Sequence, residues 1–470
     1  MMLGKIRKIH FVGIGGIGMS GIAELLLNLG FAISGSDLKE TPVTARLRSL
    51  GARIFAGHHA ENVEGAQVVV VSSAVPAQNP EIVEARRTEI PVIPRAEMLA
   101  ELMRLKYSVA VAGAHGKTTV TSMIALMLTE AGLDPTAVIG GRLDAFGSSA
   151  RLGKGELLVA EADESDRSFL LLLPSLAVVT NIDYEHLDCY RDLEEIKEAF
   201  VSFMNKVPFY GAVVACADPP WQESLQAIRP QLRRRLITYG VEPGATVTAF
   251  NIARHGHGSF FDVSESGQKL FSMSLAVPGV HNVQNALATV SVGLELGLSS
   301  EQIRHSLERF RGADRRFEVK AEVDGITIVD DYGHHPTEIH ATLEAARAWG
   351  ARRLWVIFQP HRYTRTRFLM DRFAPAFRGS ERVYVLDIYP AGEEPIPGIT
   401  SERLVERMKE QGCSGVRYAP PETDWVEEVL AAAEPGVVIM TIGAGSIWKV
   451  GEELSEALKA GLKLKTPAER

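Results

Sequence analysis

Cysteine is scarce in this 470-residue chain, and the three present, Cys189, Cys216 and Cys413, stand at no paired spacing. That excludes a disulfide framework and a cysteine zinc site, and it points to a reducing, cytoplasmic compartment. Cationic excess is absent too. Fifty lysines and arginines against 58 acids leave a formal net charge of −8, so there is no electrostatic footprint for nucleic acid. The one basic run, Arg233 to Arg235, is short and suits a solvated face. No apolar run approaches the ~18 residues a membrane helix needs, so no membrane insertion is expected. The N-terminal MMLGKIRKIHFVGIGGIG has the outline of a signal peptide. Its apolar part is glycine-rich, however, and runs straight into a phosphate-loop pattern with no A-x-A site. Heptads, low-complexity tracts and long linkers are also missing.

What remains is ordinary globular composition, 46% apolar and 23% charged. The length exceeds one compact core, and roughly three domains are expected. Strands alternate with helices nearly throughout, which predicts stacked α/β domains with mainly parallel sheets. KIHFVGIG, FAISGSD and AQVVVVSS read as strands around a helix, MSGIAELLLNLG, closed by Gly30. A helix from Glu97 to Lys106 closes the first unit. YSVAVA, ELLVAEAD and LAVVTNID are strands of a second unit, whose pattern loosens between Pro208 and Val277. ITIVDDYG, RLWVIFQPH, RVYVLDIYP and GVVIMTIGAG are strands of a third. The expected units are 1–106, 107–312 and 313–470, loosely connected and suited to closing on one another.

AVAGAHGKTTVTSMIA has the mechanics of a triphosphate loop. A buried strand delivers glycines to a helix N-terminus, where backbone N–H groups and the helix dipole face an anion. Lys117 can reach phosphate, and Thr118 or Thr119 can ligate Mg²⁺. Only two residues separate Gly113 from Gly116, so the loop is shorter than the usual pattern. Acids collect at the ends of the next strands, where ligands of parallel sheets gather. LLVAEADESD offers Glu161, Asp163, Glu164 and Asp166; VVTNIDYEHLDCY offers Asn181, Asp183, His186 and Asp188. Oxygen donors suit Mg²⁺, and Glu161, at a strand end, is the first choice.

A second glycine loop, Gly13 to Gly18, fits G-x-G-x-x-G, and Asp37 follows about 20 residues on. Alone it reads as a dehydrogenase. Physically it asks only for a diphosphate against a helix N-terminus, and UDP satisfies that as well as NAD. A dehydrogenase would leave GAHGKTT and both acidic clusters unexplained. His58, His59, His255 and His257 lack partners at metal spacing and read as surface groups.

VGIGGIGMSGIAELL, SGSD, VVVVSSAV, IPRAEMLAELM, GAHGKTT, EADESD, TNIDYEHLD, PGVHNVQNALA, GADRRFE, DDYGHHPTEI and QPHRYTRTR together resemble the Mur ligases, from about Ile9 to Lys449. The resemblance implies three domains: an N-terminal Rossmann-like UDP-binding one, a central P-loop ATPase-type α/β one, and a C-terminal Rossmann-like one. It implies ATP-dependent joining of L-alanine to the carboxylate of UDP-N-acetylmuramate, through an acyl phosphate, in peptidoglycan precursor synthesis. By motif, Gly113, Ala114, His115, Gly116, Lys117, Thr118 and Thr119 would hold ATP phosphates, with His115 close to the muramyl carboxylate. Thr118, Glu161 and His186 would hold Mg²⁺. His281, Asn282 and Asn285 would lie near adenine, Asn282 being equally suited to capping its helix. Arg315 would reach phosphate, and Asp330 or Asp331 the ribose. Gly15, Gly16, Ile17, Gly18, Asp37, Ser72, Ser73 and Arg95 would face UDP. Tyr332, His334, Arg362 and Arg365 would form the amino-acid site. Several relatives carry a carbamylated lysine where Val201 falls here, and Arg167 stands where a small residue is expected. A monomer or weak homodimer is expected.

Overall fold

The β-branched runs become strands, and Val68–Val71, all valine, is one of them. The computed structural model describes residues 5–72, 74–143, 148–185, 189–255, 257–420 and 425–460. Its strands fall into three sheets. The first is wholly parallel, in the order Arg53–Ala56, Ala32–Asp37, Lys8–Val12, Val68–Val71, Val92–Pro94. The chain winds outward in both directions from Lys8–Val12. The glycine loop that follows this strand therefore lies at a switch point, where such sheets open a crevice.

The second sheet repeats the arrangement around Tyr107–Ala112, flanked by Leu176–Val179 and Leu157–Glu161. It has ten strands. Its far edge is the antiparallel run Val247–His255, Gly258–Glu265, Gln268–Leu275. That run is where the sequence pattern loosens. The cause is visible in Val247–His255, which is mostly exposed and whose pairing shifts register between Phe250 and Ala253. The third sheet has Val437–Ile442 between Ile326–Asp331 and Arg353–Phe358, all parallel, with Glu318–Val323 antiparallel at one edge. The helix expected over Glu97 to Lys106 runs Arg95–Met103, starting directly after a strand ending at Pro94.

One buried cluster spans the first two sheets. It joins Leu25, Leu26, Leu99 and Leu102 of the first unit to Ala160, Phe169 and Phe200 of the second. Leu25 and Leu102 share an apolar groove at this seam with Leu152 and Leu158. Each fully buried leucine contributes about 1.5–3 kcal/mol, so separating these units would be costly. The expectation of three loosely connected units is therefore corrected: the first two share a core. The third sheet packs its own clusters. Its described contacts with the second unit near the glycine loop include ion pairs, hydrogen bonds and a His115–His335 ring contact at 4.9 Å, a largely polar junction that parts more readily than apolar surface. His58 also differs from expectation. It is a half-hidden partner of Ser36 Oγ (2.9 Å) and Glu81 Oε2 (3.2 Å), not a free surface group.

Candidate active site

Helix Lys117–Glu130 begins where Gly116 turns left-handed, at φ 81°. Gly113 has φ 132°, and a Cβ there would lie 2.1 Å from Thr180 Oγ1. Both positions need glycine. Asn181 braces the loop, its Oδ1 accepting from His115 N–H at 2.8 Å and its Nδ2 donating to the His115 carbonyl at 3.0 Å. The loop thus ends on unpaired helix N–H groups at the head of a strand–helix unit.

Lys117 folds back over this loop. Its Nζ donates to the Gly113 carbonyl at 2.7 Å and pairs with Glu164 Oε1 at 2.8 Å. Burial opposes the ammonium charge, but Glu164 and Asp163 outweigh it and raise the pKa. The lysine is a fixed cation. Thr118 and Glu161 share the chamber wall with it.

That chamber, of about 820 Å³, is lined by all three units. Gly16, Gly18, Ser72 and Arg95 come from the first, and Ala114, Lys117, Thr118, Glu161 and Glu185 from the second. The third contributes Arg315, Arg316, Tyr332, His334, Glu338, His361, Arg362 and Arg365. Arg95 lies across the first turn of helix Ile17–Asn28, where a Cβ on Gly18 would meet its Nη1 at 2.3 Å. Arg362 sits at φ 72°, outside the usual range for a side-chain-bearing residue and costing of order 1–3 kcal/mol.

Several expected residues are engaged by other groups of the protein. Asp37 Oδ2 accepts from Gly15 N–H at 2.8 Å, so one oxygen of this carboxylate, expected to face UDP, braces the glycine loop. Asp330 is fully buried, held by Arg315 Nε at 2.8 Å and Thr441 Oγ1 at 2.7 Å. Asp331 accepts from Phe317 N–H, Gly333 N–H and Thr342 Oγ1, with its carboxyl raised by burial. Neither aspartate is turned to a ligand. Arg315 itself is committed, since its Nη2 also donates to the Gly443 carbonyl at 2.7 Å. The next residue, Arg316, faces a chamber acid. It pairs with Glu338 at 3.4 Å and feels Asp331 and Glu161. His281, Asn282 and Asn285 lie on helix Val280–Glu295, with Asn285 against the loop. Asn282 donates to the Pro278 carbonyl at 2.7 Å, and the helix start is Gly279, so Asn282 is no cap. Asn285 Oδ1 stands 2.7 Å from where a Gly116 Cβ would be. Burial and the Arg316 charge lower His281 to about 4, leaving it neutral. Thr119 is buried in the helix. His186 and Ser73 lie outside the described residues, as does the side chain of Ile17, the first residue of its helix.

His115 occupies a junction between the second and third units instead of the chamber wall. Its Nε2 meets Asp183 Oδ2 at 3.0 Å and its Nδ1 meets Glu338 Oε1 at 3.4 Å. Thr337 Oγ1 donates to the same Asp183 oxygen at 3.0 Å, and His335 approaches it at 3.7 Å. His115, Asp183 and His335 bring ligand atoms within 4.8 Å of one another, a set that could hold a metal ion. Burial opposes a charge on His115, but Asp183 and Glu338 raise its pKa to about 10, and they fall correspondingly, Asp183 to about 2. The folded imidazole keeps its proton where an unfolded one loses it. The stabilisation is complete below pH ~6.5 and is lost as pH rises to about 10. Urea unfolding from pH 7 to 10 should therefore show wild type losing up to about 1.4 kcal/mol per pH unit more than His115→Gln. Parallel curves would exclude a charged His115.

Arg316, Glu185, Glu338 and His361 were not singled out in the sequence. Glu338 had a local signal, lying four residues after His334. His361 directly precedes Arg362 and stacks on Tyr389 at 5.6 Å. Burial and neighbouring cations keep it neutral. Val201 is buried among apolar residues including Phe200 and Phe203, so it offers no metal donor. Lys197 pairs with Glu194, and Lys206 donates to the Leu170 carbonyl. Arg167 is drawn off to Glu195 and the Cys189 carbonyl, its guanidinium over Tyr190.

Three family models match in succession: "Mur ligase family, catalytic domain" over residues 8–107, "Mur ligase middle domain" over 111–293, and "Mur ligase, glutamate ligase domain" over 315–445. Relatives named UDP-N-acetylmuramate–L-alanine ligase match end to end. That of Koribacter versatilis is 54% identical, covering 98% of this chain and 99% of its own. The chain belongs to the Mur ligase family. Another relative of the same name, from Acidobacterium capsulatum, is 55% identical, with 98% and 100% covered. Among solved structures, the UDP-N-acetylmuramate-alanine ligase MurC of Thermotoga maritima superposes on this Mur ligase with a TM-score of 0.80 at 30% identity, covering 97% and 99%. A murein peptide ligase of Psychrobacter arcticus gives 0.71 at 25%, covering 96% and 98%. No helix among the described residues is long and apolar enough to cross a membrane.

Proposed function

We propose that this Mur ligase joins L-alanine to the lactyl carboxylate of UDP-N-acetylmuramate with consumption of ATP, a step of peptidoglycan precursor synthesis carried out in the cytoplasm. Units 1–106, 107–312 and 313–470 would supply the nucleotide-sugar, ATP and amino-acid sites. One observation carries the reading: the phosphate loop, the first unit's glycine loop and the third unit's arginines line a single chamber. Three reactants could therefore meet without entering bulk water. The relatives' shared name supports the choice of substrates.

A carboxylate is a poor electrophile, so it must first be activated. Its oxygen attacks the γ-phosphorus, and the bond to the bridging oxygen of ADP breaks. Positioning and charge neutralisation dominate such a transfer. Lys117, held in place by Glu164, and Arg316 supply positive charge. The oxygens of Thr118 and Glu161 fit Mg²⁺, which they would hold together with the His186 imidazole; bound there, it would neutralise phosphate charge. The amino acid's ammonium gives up a proton, the neutral amine attacks the acyl carbon, and the tetrahedral adduct loses a second proton and expels phosphate to leave the amide. Arg362 and Arg365 would hold the amino acid's carboxylate. Arg95 and the Gly15–Gly18 turn would face the UDP diphosphate. The polar junction around His115 suits closing and reopening of the third unit against the other two, which excludes water from the acyl phosphate.

Purified protein with ATP, Mg²⁺ and UDP-N-acetylmuramate should release phosphate only when L-alanine is added. Glycine and L-serine in parallel grade the pocket, because small hydrophobic differences discriminate weakly. Equal release without an amino acid, or none with any, would sink the ligase.

A further inference from the structure

Arg365 already holds a carboxylate, and it belongs to the protein. Its Nη2 donates to Glu185 Oε1 at 3.0 Å, with the two side chains 11% and 5% exposed. Its Nη1 is fixed by the ring Nδ1 and carbonyl of His361, both at 3.1 Å. Nη2 is therefore the corner on which an incoming carboxylate would bind, and Glu185 sits on it. The partners come from opposite sides of the chamber. Arg365 is on helix Tyr363–Ala376 of the third unit, while Glu185 follows strand Leu176–Val179 of the second. His334 Nε2 is 3.7 Å from the same Glu185 oxygen. Lys117 and Arg316 have closer acids of their own, Glu164 and Glu338, although Lys117 also feels Glu185.

An α-amino acid brings a carboxylate and an ammonium two bonds apart. Resting on the amino-acid-ligase reading, we propose that Glu185 is a specificity residue for the α-ammonium group, yielding Arg365 to the substrate's carboxylate and receiving its ammonium in exchange. One ion pair becomes two, and no buried charge is stranded. A ligand with a carboxylate but no amine can displace Glu185 only by breaking its close pair with Arg365 without replacing it, leaving that buried acid the weaker attraction of Lys117 and His115. The residue thus penalises plain carboxylates as well as favouring amino acids, which is how discrimination between similar ligands is widened.

Propionate, which has the skeleton of L-alanine without the amine, is the probe. Its inhibition against L-alanine is measured in the complete reaction for wild type, Glu185→Gln and Glu185→Asp. Wild type should be inhibited weakly and competitively. In E185Q propionate should bind more tightly and the KM for L-alanine should rise. The ratio of the two constants should then fall at least about tenfold, the scale of losing one partner of a buried charge pair, while the KM for ATP holds. E185D, which keeps the charge but shortens its reach, should fall between, and it carries the test should E185Q not fold. An unchanged ratio in E185Q and E185D overturns the proposal. So does a parallel shift of both constants in one direction, because that marks general damage to the pocket. Failure of wild type to make amide from L-alanine would instead overturn the ligase reading itself.

Discussion

Replacing Lys117 with alanine should slow L-alanine-dependent phosphate release roughly 30- to 150-fold, equivalent to about 2–3 kcal/mol of transition-state stabilisation. Its side chain is the one ammonium in the loop's sequence, and carbonyl contacts from Gly113 and Ala114 fix it there. The structure adds a complication. Glu164 is 3% exposed and pairs with Lys117. Removing the lysine leaves a buried carboxylate without its cation, and such a change typically destabilises by about 3–5 kcal/mol. A lower melting temperature would therefore accompany the slower rate and could masquerade as its cause. Lys117→Met combined with Glu164→Gln removes both charges and should recover most of the stability while leaving the rate depressed. Rates per folded molecule, read beside thermal melts, separate the effects. If the double variant regains both, Lys117 is a structural cation and the loop has been misassigned.

Arg315 and Arg316 should fail in different ways. Arg316→Ala should lower the rate roughly 30-fold or more, about 2 kcal/mol or above, with little change in melting temperature. Its guanidinium faces the acids of the chamber, and Glu338 retains His115 and His334 as partners. Arg315→Ala should instead lower the melting temperature. It strands the fully buried Asp330 and frees the Gly443 carbonyl, a loss of a few kcal/mol. The surviving folded fraction should keep most of its rate. Steady-state kinetics and melts on both variants decide the matter. A reversed pattern would return the phosphate-facing role to Arg315.

The difference between these neighbours explains what the sequence could carry. Arg315 has φ 55°, a left-handed turn that sends adjacent side chains to different places. The motif GADRRFE says that an arginine is needed, but not which one the turn presents. Asp37 shows the same limit. Its distance from the glycine loop marks it for the first unit's ligand, yet in the folded chain one of its carboxylate oxygens also braces Gly15 N–H.

Local demands were legible. Gly113 and Gly116 adopt backbone conformations that few other residues reach, so the phosphate loop had to be written as glycine. The buried strands are short apolar runs rich in valine and alanine, and acids at their ends mark the carboxyl edge of a parallel sheet. Fold class, the three sheets and the elements of the chamber followed from such short-range constraints. Contacts between distant segments did not. Glu185 meets Arg365 across 180 residues. His115 meets Asp183 across 68 residues of its own unit and Glu338 from the third unit. The first two units share one core, which no periodicity announces. The sequence by itself determined the backbone shapes and the chemical inventory, because these depend on near neighbours. Only tertiary structure decided which charges pair and which face the chamber, because burial makes every ionised group find a partner wherever in the chain that partner lies.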